Sequence, residues 1–183
     1  MIMIAGIGHD VVNVAQFAEQ MRESNGWRTL FSTRELRQCS LLAEAKHDDE
    51  SLHIAARWAG KEAVVKAWSE ALSISNGIYP YTLDNTPWSN IEILDNAHGC
   101  PRVQLSQEVQ NKLYQSCHHI FSDSSSESTS SSDNSSSNSS NSSDDGGNDG
   151  NNSLIRWHIS LTHDGSTQDN TAIASAVVLL EIL

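Results

Sequence analysis

Positive charge is in short supply in this chain. Its 183 residues carry 11 lysines and arginines against 23 aspartates and glutamates, a net charge of −12 at pH 7. That balance lacks the basic footprint on which nucleic-acid binding depends, and it disfavours an anionic membrane surface as partner. A smaller anion needs only a local cluster of cations, and Arg57, Lys61 and Lys66 supply one. Cysteine is equally sparse. Cys39, Cys100 and Cys117 are an odd number without tight spacing, which argues against a disulfide framework and fits a reducing compartment. Cys117-His118-His119 lacks the ligand spacing of a tetrahedral zinc site. Long apolar runs are missing too. The apolar start, Met1 to Ile7, has no basic leader and is interrupted at Asp10, unlike a secretory signal. At the other end, Ala172 to Leu183 is too short to cross a bilayer. A cytoplasmic protein with no membrane partner is the expectation.

Between Ser122 and Ser153 there is no Lys, Arg or aromatic residue at all. Half of this stretch is serine, the rest is mostly Asn, Asp and Gly, and it supplies six of the net negative charges. Such a composition buries too little apolar surface to offset its ordering entropy, so 122–153 is predicted to be a disordered insert within a single domain spanning 1–183.

Around the insert, periodicity predicts a strand over Met3 to Gly8 and a helix over Val11 to Glu23. Ser32-x-x-Glu35 has the form of a capping box and opens a second helix to about Ala45. Lys46 to Ser51 reads as a charged loop. The alanine-rich run from His53 to about Leu72 is the strongest helix of the chain, with Ile54, Trp58, Val64, Val65 and Trp68 for burial. Ile91 to Leu94 and Arg102 to Leu105 read as a hairpin, followed by a short helix from Ser106 to about Ser116 and two strands, Ile155 to Leu161 and Thr171 to Ile182. Helices and strands that do not alternate regularly indicate an α+β fold, and no internal repeat is present.

Chemistry concentrates in a few positions. Glu62 and Lys66 sit one turn apart on one helix face, the acid N-terminal to the base, an order that is favourable in itself and common in surface salt bridges. Asp10 follows the first predicted strand, where most aspartates simply shape a turn. Together, a strand-end Asp, a helical Glu and a neighbouring Lys compose a plausible Mg2+ and phosphate site, since hard cations select oxygen ligands and leave positions for substrate phosphates. Arg57 and Lys61, also one turn apart, repel unless an anion lies between them. His163 falls on the apolar side of its strand by alternation, the place of a core histidine, unless the strand ends near Thr162 and leaves the ring at the rim. His9 is assigned no role. Gly6-Ile7-Gly8 lacks the third glycine of a dinucleotide fingerprint.

Four segments, Gly6-Ile7-Gly8-His9-Asp10-Val11-Val12, Phe31-Ser32-Thr33-Arg34-Glu35-Leu36, Arg57-Trp58-Ala59-Gly60-Lys61-Glu62-Ala63-Val64-Val65-Lys66-Ala67 and Ser160-Leu161-Thr162-His163-Asp164, resemble the holo-acyl carrier protein synthase family in the family's own order. These are the small 4'-phosphopantetheinyl transferases. The resemblance implies an α+β fold in which an antiparallel sheet packs on a long central helix. It implies Mg2+-dependent transfer of phosphopantetheine from coenzyme A to a serine of apo acyl carrier protein, with release of adenosine 3',5'-bisphosphate. Asp10 and Glu62 are thereby assigned to the metal, and Asp10 or Glu62 to the base. Lys66 is assigned to the pyrophosphate or leaving group, Arg57 and Lys61 to the adenosine phosphates, and Thr162 and His163 to the nucleotide, in part across subunits of a homotrimer. Two features depart from the family. No glycine follows Lys66 until Gly77, and the first helix offers only Arg22 as a docking cation. A catalytically weakened protein that binds coenzyme A or a carrier is the alternative they leave open.

Overall fold

An alanine-rich run with no strongly polar face can be buried almost all round, and that is the fate of helix α3 (Glu50–Ile74), in which 16 of 25 residues are buried. It is the axis of the structure, a computed structural model that describes residues 2–23, 25–74, 76–122, 155–167 and 169–183, the side chains of 118–122 excepted. Strand β1 (Met3–Asn13) leads into α1 (Val14–Glu23), a 3-10 turn (Asn25–Leu30) and α2 (Thr33–Lys46). After α3 come a hairpin of β2 (Ile91–Asp95) and β3 (Pro101–Leu105), helix α4 (Gln107–Ser122) and strands β4 (Ile155–Asp164) and β5 (Ile173–Ile182). Among the described residues all pairing is antiparallel, in a three-stranded sheet of order β1-β5-β4 and the separate β2-β3 hairpin. The chain thus has the expected α+β fold with a sheet laid on a long helix.

The inner face of the large sheet packs Ala176, Val178 and Leu180 in one core with Ala59, Ala63, Ala67 and Ala71 of α3, and Ala174 in a second with Ala55 and Ala56. Glycine makes the tightest contact. A Cβ built on Gly6 would stand 2.0 Å from the Ala67 carbonyl oxygen, and one on Gly8 would stand 1.8 Å from that of Ala63. Strand β1 therefore lies directly on the helix backbone, and only residues without a side chain permit it.

Several boundaries differ from expectation. Val11 to Asn13 continue β1, held extended by pairing with Ser175, Ala174 and Ile173 of β5. The helix starts at Val14, and Asn13 Oδ1 accepts the Gln16 amide 2.9 Å away. The charged stretch contributes its own helix start: Asp49 Oδ1 takes the Ser51 amide at 2.8 Å, so α3 begins at Glu50 rather than His53. Helix α4 runs to Ser122, and β4 continues through Thr162 to Asp164. The capping box at Ser32 and Glu35 is formed as expected. Apart from Ser122, the insert expected over 122–153 lies outside the described residues. Among the described residues no helix is long and apolar enough to cross a membrane.

Candidate active site

Side chains on β1 alternate between its two faces, so Gly6, Gly8 and Asp10 all point at α3. The glycines bring the strand down onto the helix, and two residues on, Asp10 delivers its carboxylate beside the turn that carries Glu62 and Lys66. Asp10 is buried, and Lys66 Nζ lies 2.7 Å from its Oδ1 and 3.1 Å from the His9 carbonyl oxygen. The Lys66 side chain remains half exposed. The ion pair anticipated within the helix is thus made across to the strand.

Asp10 Oδ2 is buried and, with Glu62 ionised, has no hydrogen-bond donor. Opposite it, the Glu62 carboxyl is pushed up to about 7, first by burial and then by the negative charge of Asp10 and a hydrogen bond to it, with Lys66 opposing. Two carboxylates confined together share either a proton or a cation. The donor set fits a hard cation. The ligands are carboxylate oxygens, one of them lacks a partner, and Mg2+ draws on few protein ligands because it keeps positions for waters and phosphates. Among the described residues no three His, Cys, Asp or Glu side chains form a metal cluster.

Lys61 and Arg57 do not join this site. Lys61 is fully buried, and its ammonium donates to Glu35 Oε2 at 2.8 Å, the Trp88 carbonyl at 2.7 Å and the Ile91 carbonyl at 2.6 Å, with the Phe31 ring beneath. Burial pulls it below the ordinary lysine range against the pull of Glu35. Arg57 is 4 % exposed and donates to Asp95 Oδ2 at 2.6 Å. The assignment of both cations to adenosine phosphates is therefore corrected: the anions that relieve their repulsion are the protein's own carboxylates. Glu35, noted in the sequence only as a helix cap, closes that cap through Ser32 and also accepts the Ile93 amide at 2.9 Å. Nothing in the spacing of one helix reveals a partner supplied by another.

Thr162 and His163 point to opposite faces of β4. Thr162 is exposed on the outer face beside Ser175, whereas His163 is half-buried on the inner face, paired in register with Ala174 and, through it, aligned with Val12. The structure does not bring the two to one place within a chain.

A fold of this kind, with an acid from strand β1 set against an acid and a base from a central helix, defines a family. The family model of the 4'-phosphopantetheinyl transferase superfamily matches residues 6–134, and the chain belongs to that superfamily. Within it the similarity is to holo-[acyl-carrier-protein] synthases. The one from Bifidobacterium animalis subsp. lactis is 45% identical over 181 residues, 97% of either chain. That from Bifidobacterium adolescentis is 56% identical over 117 residues, 61% of this chain and 77% of the relative. Among solved structures, the ACPS–CoA complex of Chronobacterium ammoniagenes shares the fold with a TM-score of 0.63 at 24% identity, over 100% of this chain and 98% of that one. An apo-ACPS structure from the same genus gives 0.62 at 26% identity with equal coverage.

Proposed function

We infer that this chain is an enzyme that transfers the 4'-phosphopantetheine group of coenzyme A to a serine hydroxyl of an apo acyl carrier protein. Membership of the superfamily and the identities to holo-[acyl-carrier-protein] synthases carry the activity. The convergence of Asp10, Glu62 and Lys66 carries its location. The serine oxygen forms a bond to the β-phosphorus of coenzyme A, the bond from that phosphorus to the bridging oxygen breaks, and adenosine 3',5'-bisphosphate departs.

Asp10 and Glu62 would hold Mg2+ in this reading, supported by the buried Asp10 oxygen and by the crowding of two carboxyls that raises the proton affinity of Glu62. When bound, the ion neutralises pyrophosphate charge. Asp10 or Glu62, directly or through a metal-bound water, would take the serine proton. Lys66, whose ammonium rests on Asp10 with the side chain half exposed, would turn that ammonium to the departing oxygen.

The outer face of the sheet supports assembly. Ile7 (53 % exposed), Val11 (54 %), Ile173 (47 %) and Val177 (42 %) share it, with His9 bonded to Ser175 between them. Copies of the chain that cover this face as a homotrimer bring the exposed Thr162 of one subunit toward the site of another, while His163 contacts the nucleotide. The chain acts as one domain of the cytoplasm that supplies holo carrier protein to fatty acid biosynthesis, with 122–153 as an insert.

Mass spectrometry of a purified apo acyl carrier protein incubated with the enzyme, coenzyme A and Mg2+ tests the activity. A phosphopantetheine-sized gain that requires metal and is lost in Glu62→Ala is expected. Unmodified carrier across several carrier proteins sinks the reading.

A further inference from the structure

Helix α3 carries a buried histidine in its second turn, among Leu52, Ile54, Ala55 and Ala56. His53 is 3 % exposed, and its Nε2 lies 2.7 Å from Asp48 Oδ1. An ionised carboxylate only accepts, so Nε2 carries the hydrogen and the tautomer is set by Asp48. Asp48 is itself held: it follows His47, a left-handed residue at φ 56, and its amide donates to the Ala43 carbonyl at 3.1 Å. On its other side the His53 ring stands edge to face with His163, centroids 5.3 Å apart and planes at 84°. A polar ring in an apolar stretch costs desolvation, and a phenyl ring would fill the same space without needing a carboxylate. The fold thus spends two polar side chains on the orientation of one half-exposed imidazole.

We propose that Asp48 and His53 are positioning residues for His163: the pair fixes the His163 ring and governs the charge that it presents to the nucleotide end of coenzyme A. The proposal rests on the reading of His163 as a nucleotide contact. The charged groups that face His163 are His53 from α3, Lys46 at the end of α2, Asp48 in the turn between those helices and Asp164 on its own strand. Burial, then His53 and Lys46, hold His163 below the ordinary imidazole range, while Asp48 and Asp164 oppose them. Adjacent imidazoles resist double protonation. An arriving phosphate favours the protonated ring that burial disfavours, so coenzyme A binding is expected to take up a proton.

Opposite signs at two neighbouring positions provide the test. Ring NMR of the full chain without coenzyme A follows the titration of His163, and steady-state kinetics from pH 6 to 9 follow KM for coenzyme A and kcat. His53→Gln keeps a donor to Asp48 but removes the ring that stands against His163. The His163 midpoint is expected to move up, and the pH at which KM begins to rise moves up with it. Asp48→Asn is expected to move both down, with KM at pH 8 raised roughly threefold and kcat within about twofold of the parent. A His163 midpoint unmoved by both variants overturns the proposal at the pair. A moved midpoint with an unchanged KM profile overturns it at the nucleotide contact instead. Asp48 is a quarter exposed, so its variant keeps the test open if His53→Gln does not fold.

Discussion

Lys61 Nζ and Glu35 Oε2 meet 2.8 Å apart with neither side chain reaching solvent. Removing one partner strands the other charge, which typically costs about 3–5 kcal/mol. Lys61→Ala is therefore expected to lower the unfolding free energy by that order, and the double variant Lys61→Met, Glu35→Gln to recover much of it. Chemical denaturation of both decides the matter. A Lys61→Ala protein of parental stability with only a raised KM for coenzyme A would restore the discarded role in nucleotide binding.

Glu62 ties stability to pH. Its folded value of about 7 lies above the ordinary 4.5, so the folded state binds more protons between these values and stability from this group is lost as pH rises from about 4.5 to 7. Glu62→Gln removes the crowded charge. In metal-free buffer at pH 8 the variant is expected to melt about 2–4 °C above the parent, with no turnover. An equal or lower melting temperature there contradicts the account of Asp10 and Glu62. Protons also compete with metal, so the Mg2+ concentration for half-maximal rate is expected to climb below pH 7.

In the proposed mechanism Lys66→Ala removes the cation that would meet the departing oxygen and frees Asp10 of its ion pair. Loss of a charge-stabilising donor typically costs about 100- to 1000-fold in kcat. KM for the carrier protein is expected to change little. A variant with near-parental kcat rules out this role.

Gly8→Ala places a methyl group against the Ala63 carbonyl, where no side chain can swing aside. Strand and helix must part, at a cost of about 1–3 kcal/mol, and Asp10 withdraws from Glu62 with them. Reduced stability together with a raised Mg2+ requirement is the expected pair of effects. Unaltered metal dependence would show that Asp10 is positioned by something other than this contact.

Val177→Glu puts a charge in the middle of the exposed apolar sheet face. Sedimentation is expected to show the parent as a trimer and the variant as a monomer. Identical masses for the two would falsify the assignment of this face to assembly.

Much of this arrangement was legible in the chain. Ser32 and Glu35 announced a helix start through their spacing, the alanine-rich run announced α3, and Asp95 to Pro101 announced a hairpin turn. Glu62 and Lys66 were legible because helical spacing is local. What escaped was set by contacts distant in sequence. Val11 and Val12 suit a strand or a helix equally, and only pairing with β5 decides between them. Lys61 and Arg57 looked like free cations because their carboxylates come from α2 and the hairpin. Gly6 and Gly8 do not make a dinucleotide fingerprint, and what their lack of side chains does, the approach of a strand to a helix, depends on a contact distant in sequence.

Because α3 runs unbroken from Glu50 to Ile74, its residues keep a fixed angular phase. His53 and Glu62 stand nine positions apart, about 13.5 Å along the axis and about two and a half turns round it, on opposite sides of the helix. Adding one residue between them would swing everything beyond it by about 100°, turning Glu62 and Lys66 away from Asp10 while His53 stayed at His163. Length can vary in the connections of this protein, but within this one helix the reading frame of the backbone is itself a catalytic parameter.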